Sequence, residues 1–302
     1  MSQRRGWLLA ALAAPVIHLS AGLGWWTAAV VAAAGAALQL LPSWKKREET
    51  KQKRESLARW GISILAAGEV MEIMADCWPG QNGIRWVMGI LLLLSGYLAS
   101  KGREQTMEAS VLLWWLIGFL FGSVLLSAVP EIKLGHLKAE YTIRQWRQAL
   151  RLLAVLLIPG LMPEKRSKEE TWQLGLAVGT LAVAAALCTQ GVRSFRSAAQ
   201  DEAPFYELSR SIRLYGTLDR MEGLAWLGLM LGSFLCLSYL MTAAAENGER
   251  AGRTARSVWL AAAVILAGVI EAIKIPVSIL VLVVLLILYG NRRELKTGRK
   301  PE

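Results

Sequence analysis

The chain has 302 residues, of which 54% are hydrophobic, with thirteen tryptophans and a mean hydropathy of +0.39. That composition excludes an ordinary soluble domain and indicates an all-α integral membrane protein. The net charge of +11 comes from Lys and Arg gathered in short segments between apolar stretches, which marks a cytoplasmic membrane face rather than a nucleic-acid-binding surface.

In chain order, Arg4 and Arg5 precede an apolar stretch that begins like a secretory leader. A second apolar stretch and a strongly basic segment follow at once, so it reads as a retained first helix. Residues 7–41 carry no formal charge, too long for one crossing and enough for two short ones broken around "SAGLGW", where Gly22 and Gly24 weaken the helix. Segment 45–59, "KKREETKQKRESLAR", holds seven basic residues against three acidic ones, which places it and the N-terminus in the cytoplasm. Further spans are expected near 60–76, 84–100, 109–129, 147–162, 172–191, 221–243, 257–272 and 275–290, about ten in all. With both termini inside, the cytoplasmic segments hold 22 of the 34 Lys and Arg residues.

The whole chain, 1–302, therefore reads as a single polytopic domain. Ten spans divide into a first repeat at about 7–129 and a second at about 147–290. The leading helix of each half is short and interrupted by Gly or Pro, as inverted-repeat transporters require of their binding helices. Ser20, Ala21 and Gly22 in the first, with Pro159 and Gly160 in the second, are the expected ligand-binding segments, because helix ends aim dipoles at charged groups.

Charges within spans mark further candidates. Glu69, Glu72 and Asp76 lie along one face of the third span by their spacing. A carboxylate in a membrane suggests a proton relay or a ligand contact. The plainer alternative is that Asp76 marks the outer end and Glu72 pairs with Arg85. His18 stands just before the first break, as a packing residue or a proton-coupling group. Glu271 and Lys274 read as a local interfacial pair. Cys77, Cys188 and Cys236 form no paired motif and read as packing residues, the first two near the outer surface.

The outer segment 192–220 is amphipathic and densely charged, and on its own it could be a helix lying in the membrane interface. Its continuation, "PFYELSRSIRLYGTLDRMEGLAW", resembles the spore germination B-subunit family, the endospore germination permeases of the amino acid–polyamine–organocation superfamily. Pro204, Tyr206, Glu207, Leu208, Arg210, Ile212, Leu218, Arg220, Glu222 and Trp226 carry the resemblance, and Phe234 and Ser238 continue it. Segments 97–110 and 156–170 resemble the family more weakly. The chain departs from it in having Cys236 where a Lys is common, a shorter first helix, and a shortened region before residue 156.

The resemblance implies a ten-helix, five-plus-five inverted-repeat (LeuT-like) fold in a bacterial cell membrane or spore inner membrane. It also implies a nutrient-germinant receptor that binds a small nutrient such as an amino acid, beside a larger membrane subunit and a lipoprotein subunit. In that setting Arg220 and Glu222 are expected to pair with each other or with neighbouring helices, and Arg210 with Glu207 one helical turn earlier. The sequence holds no phosphate-binding loop, nucleophile elbow or metal-ligand cluster, so no enzyme activity and no cofactor is expected. A proton-coupled amino acid transporter titrating Glu69 or Glu72 is the competing expectation, and a scaffold with a closed pocket is a third.

Overall fold

A computed structural model describes residues 3–39, 49–76, 84–137, 143–161, 168–201, 203–212, 221–251 and 255–273. Among these there is no strand. The long helices are α1 (Gln3–Ala21), α2 (Trp25–Gln39), α3 (Glu49–Asp76), α4 (Ile84–Ser100), α5 (Arg103–Ala128), α6 (Ile143–Leu157) and α7 (Lys168–Arg193). Two short helices follow, α8 (Phe195–Gln200) and α9 (Pro204–Ser211), then α10 (Glu222–Ala251) and α11 (Arg256–Ile273). The expected tenth span, with Lys274, lies outside the described residues, as do Cys77 and Arg220.

The first break falls where the glycines predict it. α1 stops at Ala21, the Leu23 amide closes a turn on the Ser20 carbonyl at 2.9 Å, and α2 starts at Trp25. Gly102 turns the chain between α4 and α5 with φ of 104°, a conformation that a side chain would strain. Several helices run past their apolar windows. α3 begins at Glu49 inside the basic segment, and α5 begins at Arg103 rather than near residue 109.

α1 is the axis of the bundle: every residue from Gly6 to Gly24 is buried, against α5, α6, α7 and α10. α10 packs most extensively on α3, and α11 closes against α3, α4 and α10. Close approach depends on small residues, as expected where lipid removes the hydrophobic drive between helices. A side chain at Gly232 would place its Cβ 2.5 Å from the Ala14 Cβ, so α1 and α10 touch nearly backbone to backbone.

The outside of the bundle is apolar and its inside carries small polar groups. Leu112, Trp115, Phe119 and Leu126 are exposed on α5, while Thr106 and Ser110 on the same helix are buried and bond backbone carbonyls one turn back. A face of that size exposed in water would be an aggregation surface; facing lipid, it is the ordinary exterior. Arg103–Glu131, Glu169–Arg193 and Glu222–Ala251 are long and apolar enough to cross a membrane, and four shorter apolar helices stand beside them. The architecture is that of an all-α membrane protein.

Long-range bonds sort into two ends, as alternating helix directions require. At one end Asn247 reaches the Leu161 carbonyl, Trp60 the Trp259 carbonyl and Arg256 the Ala99 carbonyl. At the other, the Trp25 amide bonds Gln190, and His136 meets the Gly191 carbonyl. They are called the inner and the outer end, respectively, after the orientation expected from the charge distribution of the sequence.

Candidate functional site: a buried arginine and three carboxylates

α6 is amphipathic, and its inward face brings Gln145, Gln148 and Arg151 against α1, which carries His18 and is followed by Gly22, and near α3, which carries Glu69, Glu72 and Asp76. Helical spacing aligns the three carboxylates on α3, and Arg151 is where they converge. Its Nε bonds and ion-pairs Glu69 Oε1. Its Nη2 lies 3.7 Å from Glu72 Oε1 and its Nη1 3.7 Å from Asp76 Oδ2. Only 4% of the Glu69 side chain is exposed, against 40% and 39% for Glu72 and Asp76, so the carboxylates form a ladder from the outer surface into the interior.

A guanidinium can bridge several carboxylates because its donors are fixed in one plane. Three carboxylates around one guanidinium still leave an excess of negative charge, which Arg147, one turn back on α6, partly offsets. The cluster also keeps unsatisfied polar atoms. Glu69 Oε2, Arg151 Nη2, Gln148 Oε1 and both amide atoms of Gln145 are buried without a hydrogen-bond partner among the described residues. Each such atom costs about 1–3 kcal/mol, so four on two turns of α6 and one on the facing α3 need an explanation.

The expected site residues divide. His18 is buried within electrostatic reach of Arg151. Gly22 is packed by Gln148, whose amide atoms would lie 2.6 Å from any Cβ added there. Ser20 is buried with its hydroxyl unpartnered, and Ala21 is buried in the apolar core behind it. These residues and Glu69 share the outer half of the bundle.

Pro159 and Gly160 do not join them. They form a 3-10 turn at the inner end of α6, where Tyr239 donates to the Pro159 carbonyl at 3.2 Å and Asn247 to the Leu161 carbonyl at 3.0 Å. Tyr239 in turn packs edge-on to Trp7 at 4.9 Å. Trp7 and Ala21, the last residue of α1 before Gly22, are fourteen residues apart, roughly 21 Å at 1.5 Å per residue. The two breaks therefore stand at opposite ends of the bundle, and α10 already occupies the carbonyls that the inner one frees. Glu72 faces Arg151; the Arg85 side chain lies outside the described residues.

The described part of the charged outer segment, 192–201 and 203–212, folds as a cap. Pro204 starts α9 at a position where its missing N–H costs nothing. Phe205 and Leu208 are buried, with Phe205 stacked edge-on against Phe121 of α5 at 5.6 Å. α9 thus packs on α1, α5, α7 and α10. Tyr206 stays partly exposed beside it. Arg193, at the end of α7, pairs with Asp201 at 2.9 Å and Glu207 at 3.5 Å. Arg210 bonds Glu207 at 3.1 Å and reaches Glu222 of α10 at 3.4 Å. The hydrogen bond and charge of Glu207 raise the Arg210 guanidinium above its ordinary value, so it stays cationic throughout the physiological range.

Arg151 is the group that sequence reasoning passed over. Its signal was its place one turn after Arg147, facing a span with three carboxylates. Cys188 and Cys236 are buried free thiols. Among the described residues, no cluster of His, Cys, Asp and Glu could hold a metal ion. The chain has no match among protein-family models or curated proteins.

Proposed function

We propose that the chain is the membrane subunit of a spore nutrient-germinant receptor, with the five-plus-five helix arrangement of amino acid transporters. It binds a small zwitterionic nutrient, such as an amino acid, at the outer half of the bundle and passes the signal to partner subunits. The observation that carries this reading is the concentration of unpartnered polar atoms around Arg151 and Glu69. An ammonium group matches the carboxylate excess and a carboxylate matches Arg151 Nη2, so a zwitterion satisfies both. The resemblance at 204–238 supports the receptor reading, since its first residues, Pro204–Ser211, build α9 on α1, the helix that also carries His18. A ligand that shifts α1 or α6 would be felt at this cap through the Arg193, Glu207, Arg210 and Glu222 pairs.

One observation favours a second reading, a proton-coupled transporter. The ladder from Asp76 through Glu72 to Glu69 connects the outer surface to a buried carboxylate, the arrangement a proton path needs. Glu69→Gln separates the two. In the receptor it weakens equilibrium binding of a labelled amino acid to purified protein and there is no uptake to lose. In the transporter it abolishes uptake driven by a pH gradient.

A further inference from the structure

At the inner end, away from the Arg151 cluster, α4 and α11 run antiparallel and enclose a groove of about 680 Å³. They are closest where a Cβ on Gly96 would come within 2.9 Å of Val264, and the groove is open along one side. Its walls change character along their length. Leu93, Leu260 and Ile265 make one part purely apolar, and Leu93 and Ile265 are each 66% exposed on the outer face of the bundle. Arg256, Ser257 and Ser100 make the other part polar, at the level where α11 begins.

Three features give that polar end an affinity for an anion. Arg256 donates from Nη2 to the Ala99 carbonyl at 3.3 Å, which fixes its guanidinium across the gap between the helices. Its Nε is buried with no hydrogen-bond partner among the described residues, a charged donor that lacks an acceptor. The N-terminus of α11 adds a positive helix dipole. Lys101 contributes a second cation, its Nζ held 5.0 Å over the Tyr97 ring beside the groove.

A cationic pocket opening into a lipid-facing apolar channel has the polarity of one class of molecule. We infer that this groove binds an anionic glycerophospholipid of the inner leaflet, with its phosphate on Arg256 and the α11 N-terminus and one acyl chain along Leu93, Leu260 and Ile265. Charge complementarity singles out this occupant: basic pockets between membrane helices on the cytoplasmic side hold acidic headgroups. A helix from a partner protein would fill the apolar part and leave Arg256 Nε without an acceptor. The bound lipid ties α4 to α11 and makes the packing of that pair depend on membrane composition.

The test uses the full chain in nanodiscs made from equal amounts of phosphatidylglycerol and phosphatidylcholine, followed by native mass spectrometry of the lipids that stay bound. Wild type is expected to retain phosphatidylglycerol in preference to phosphatidylcholine. Arg256→Gln should cut that preference about fivefold, the effect of one basic charge at a membrane surface, and Arg256→Lys should keep most of it. Ile265→Trp, at an exposed position outside the core, should block the acyl channel and release both lipids while Arg256 remains. Equal retention of the two lipids by wild type overturns the inference, as does a preference unchanged by both Arg256→Gln and Ile265→Trp. Arg210→Gln, at the other end of the molecule, should leave retention as in wild type; a loss there equal to that of Arg256→Gln would mean that general surface charge is responsible and would also overturn it.

Discussion

The molecule contains two arginine–carboxylate clusters of similar chemistry and opposite character. Around Arg193 and Arg210 the partners join α7, α9 and α10 at one end of the bundle. Arg210 is 54% exposed to water, whereas Arg193 is largely enclosed and, like Arg151, keeps a buried nitrogen without a hydrogen-bond partner among the described residues. Around Arg151 the partner Glu69 is almost fully enclosed, and buried polar atoms nearby remain unpartnered. The exposed Arg210 pairs contribute little to stability, because water screens them. A buried pair of the second kind is a poor device for stability, because desolvation offsets most of the Coulombic attraction. The comparison teaches that the outer cluster shapes the fold, whereas the buried one has to be explained by what it binds or moves.

Breaking the buried pair on one side gives the largest expected effect. Arg151→Met leaves Glu69 enclosed without its cation and should cost about 3–5 kcal/mol, read as a lower Tm in detergent. The double variant Glu69→Leu with Arg151→Met should recover most of that loss and still lack ligand binding. Recovery of both stability and binding would make the pair a packing device and remove the contrast.

Overpacking the α1–α10 contact comes next. Gly232→Leu pushes a side chain into Ala14, so about 1–3 kcal/mol of destabilisation is expected from thermal unfolding. A smaller effect should follow Tyr239→Phe, which frees the Pro159 carbonyl at the inner break and should cost about 1 kcal/mol. Ligand affinity should stay the same, because that break lies away from the Arg151 cluster.

The smallest change belongs to the rim. Arg210→Gln should lower the Tm only slightly, and the difference from wild type should shrink as salt is raised. Salt should leave the Arg151→Met penalty nearly unchanged. If the two penalties respond to salt alike, the clusters do not differ as described.

The sequence made part of this legible. Glycines 22 and 24 mark the turn between α1 and α2, and the apolar run 84–100 coincides with α4, because both are local signals of backbone freedom and hydropathy. The carboxylate spacing on α3 correctly places three acids on one face. Helix ends were read too short, since the apolar windows exclude polar turns such as 49–59 that the helix nevertheless continues through. Arg151 was missed because its burial depends on how α6 rotates against α1 and α3, which no local pattern encodes. For the same reason the Gly and Pro breaks looked equivalent in sequence although they lie at opposite ends of the bundle.

The most direct test of the central claim is equilibrium binding and uptake of a panel of labelled amino acids by the purified protein in liposomes, with and without an imposed pH gradient, for wild type and Glu69→Gln. The account predicts saturable binding that Glu69→Gln weakens, with no accumulation under the gradient. Accumulation driven by the gradient would contradict the receptor reading, and binding that Glu69→Gln leaves unchanged would contradict the site.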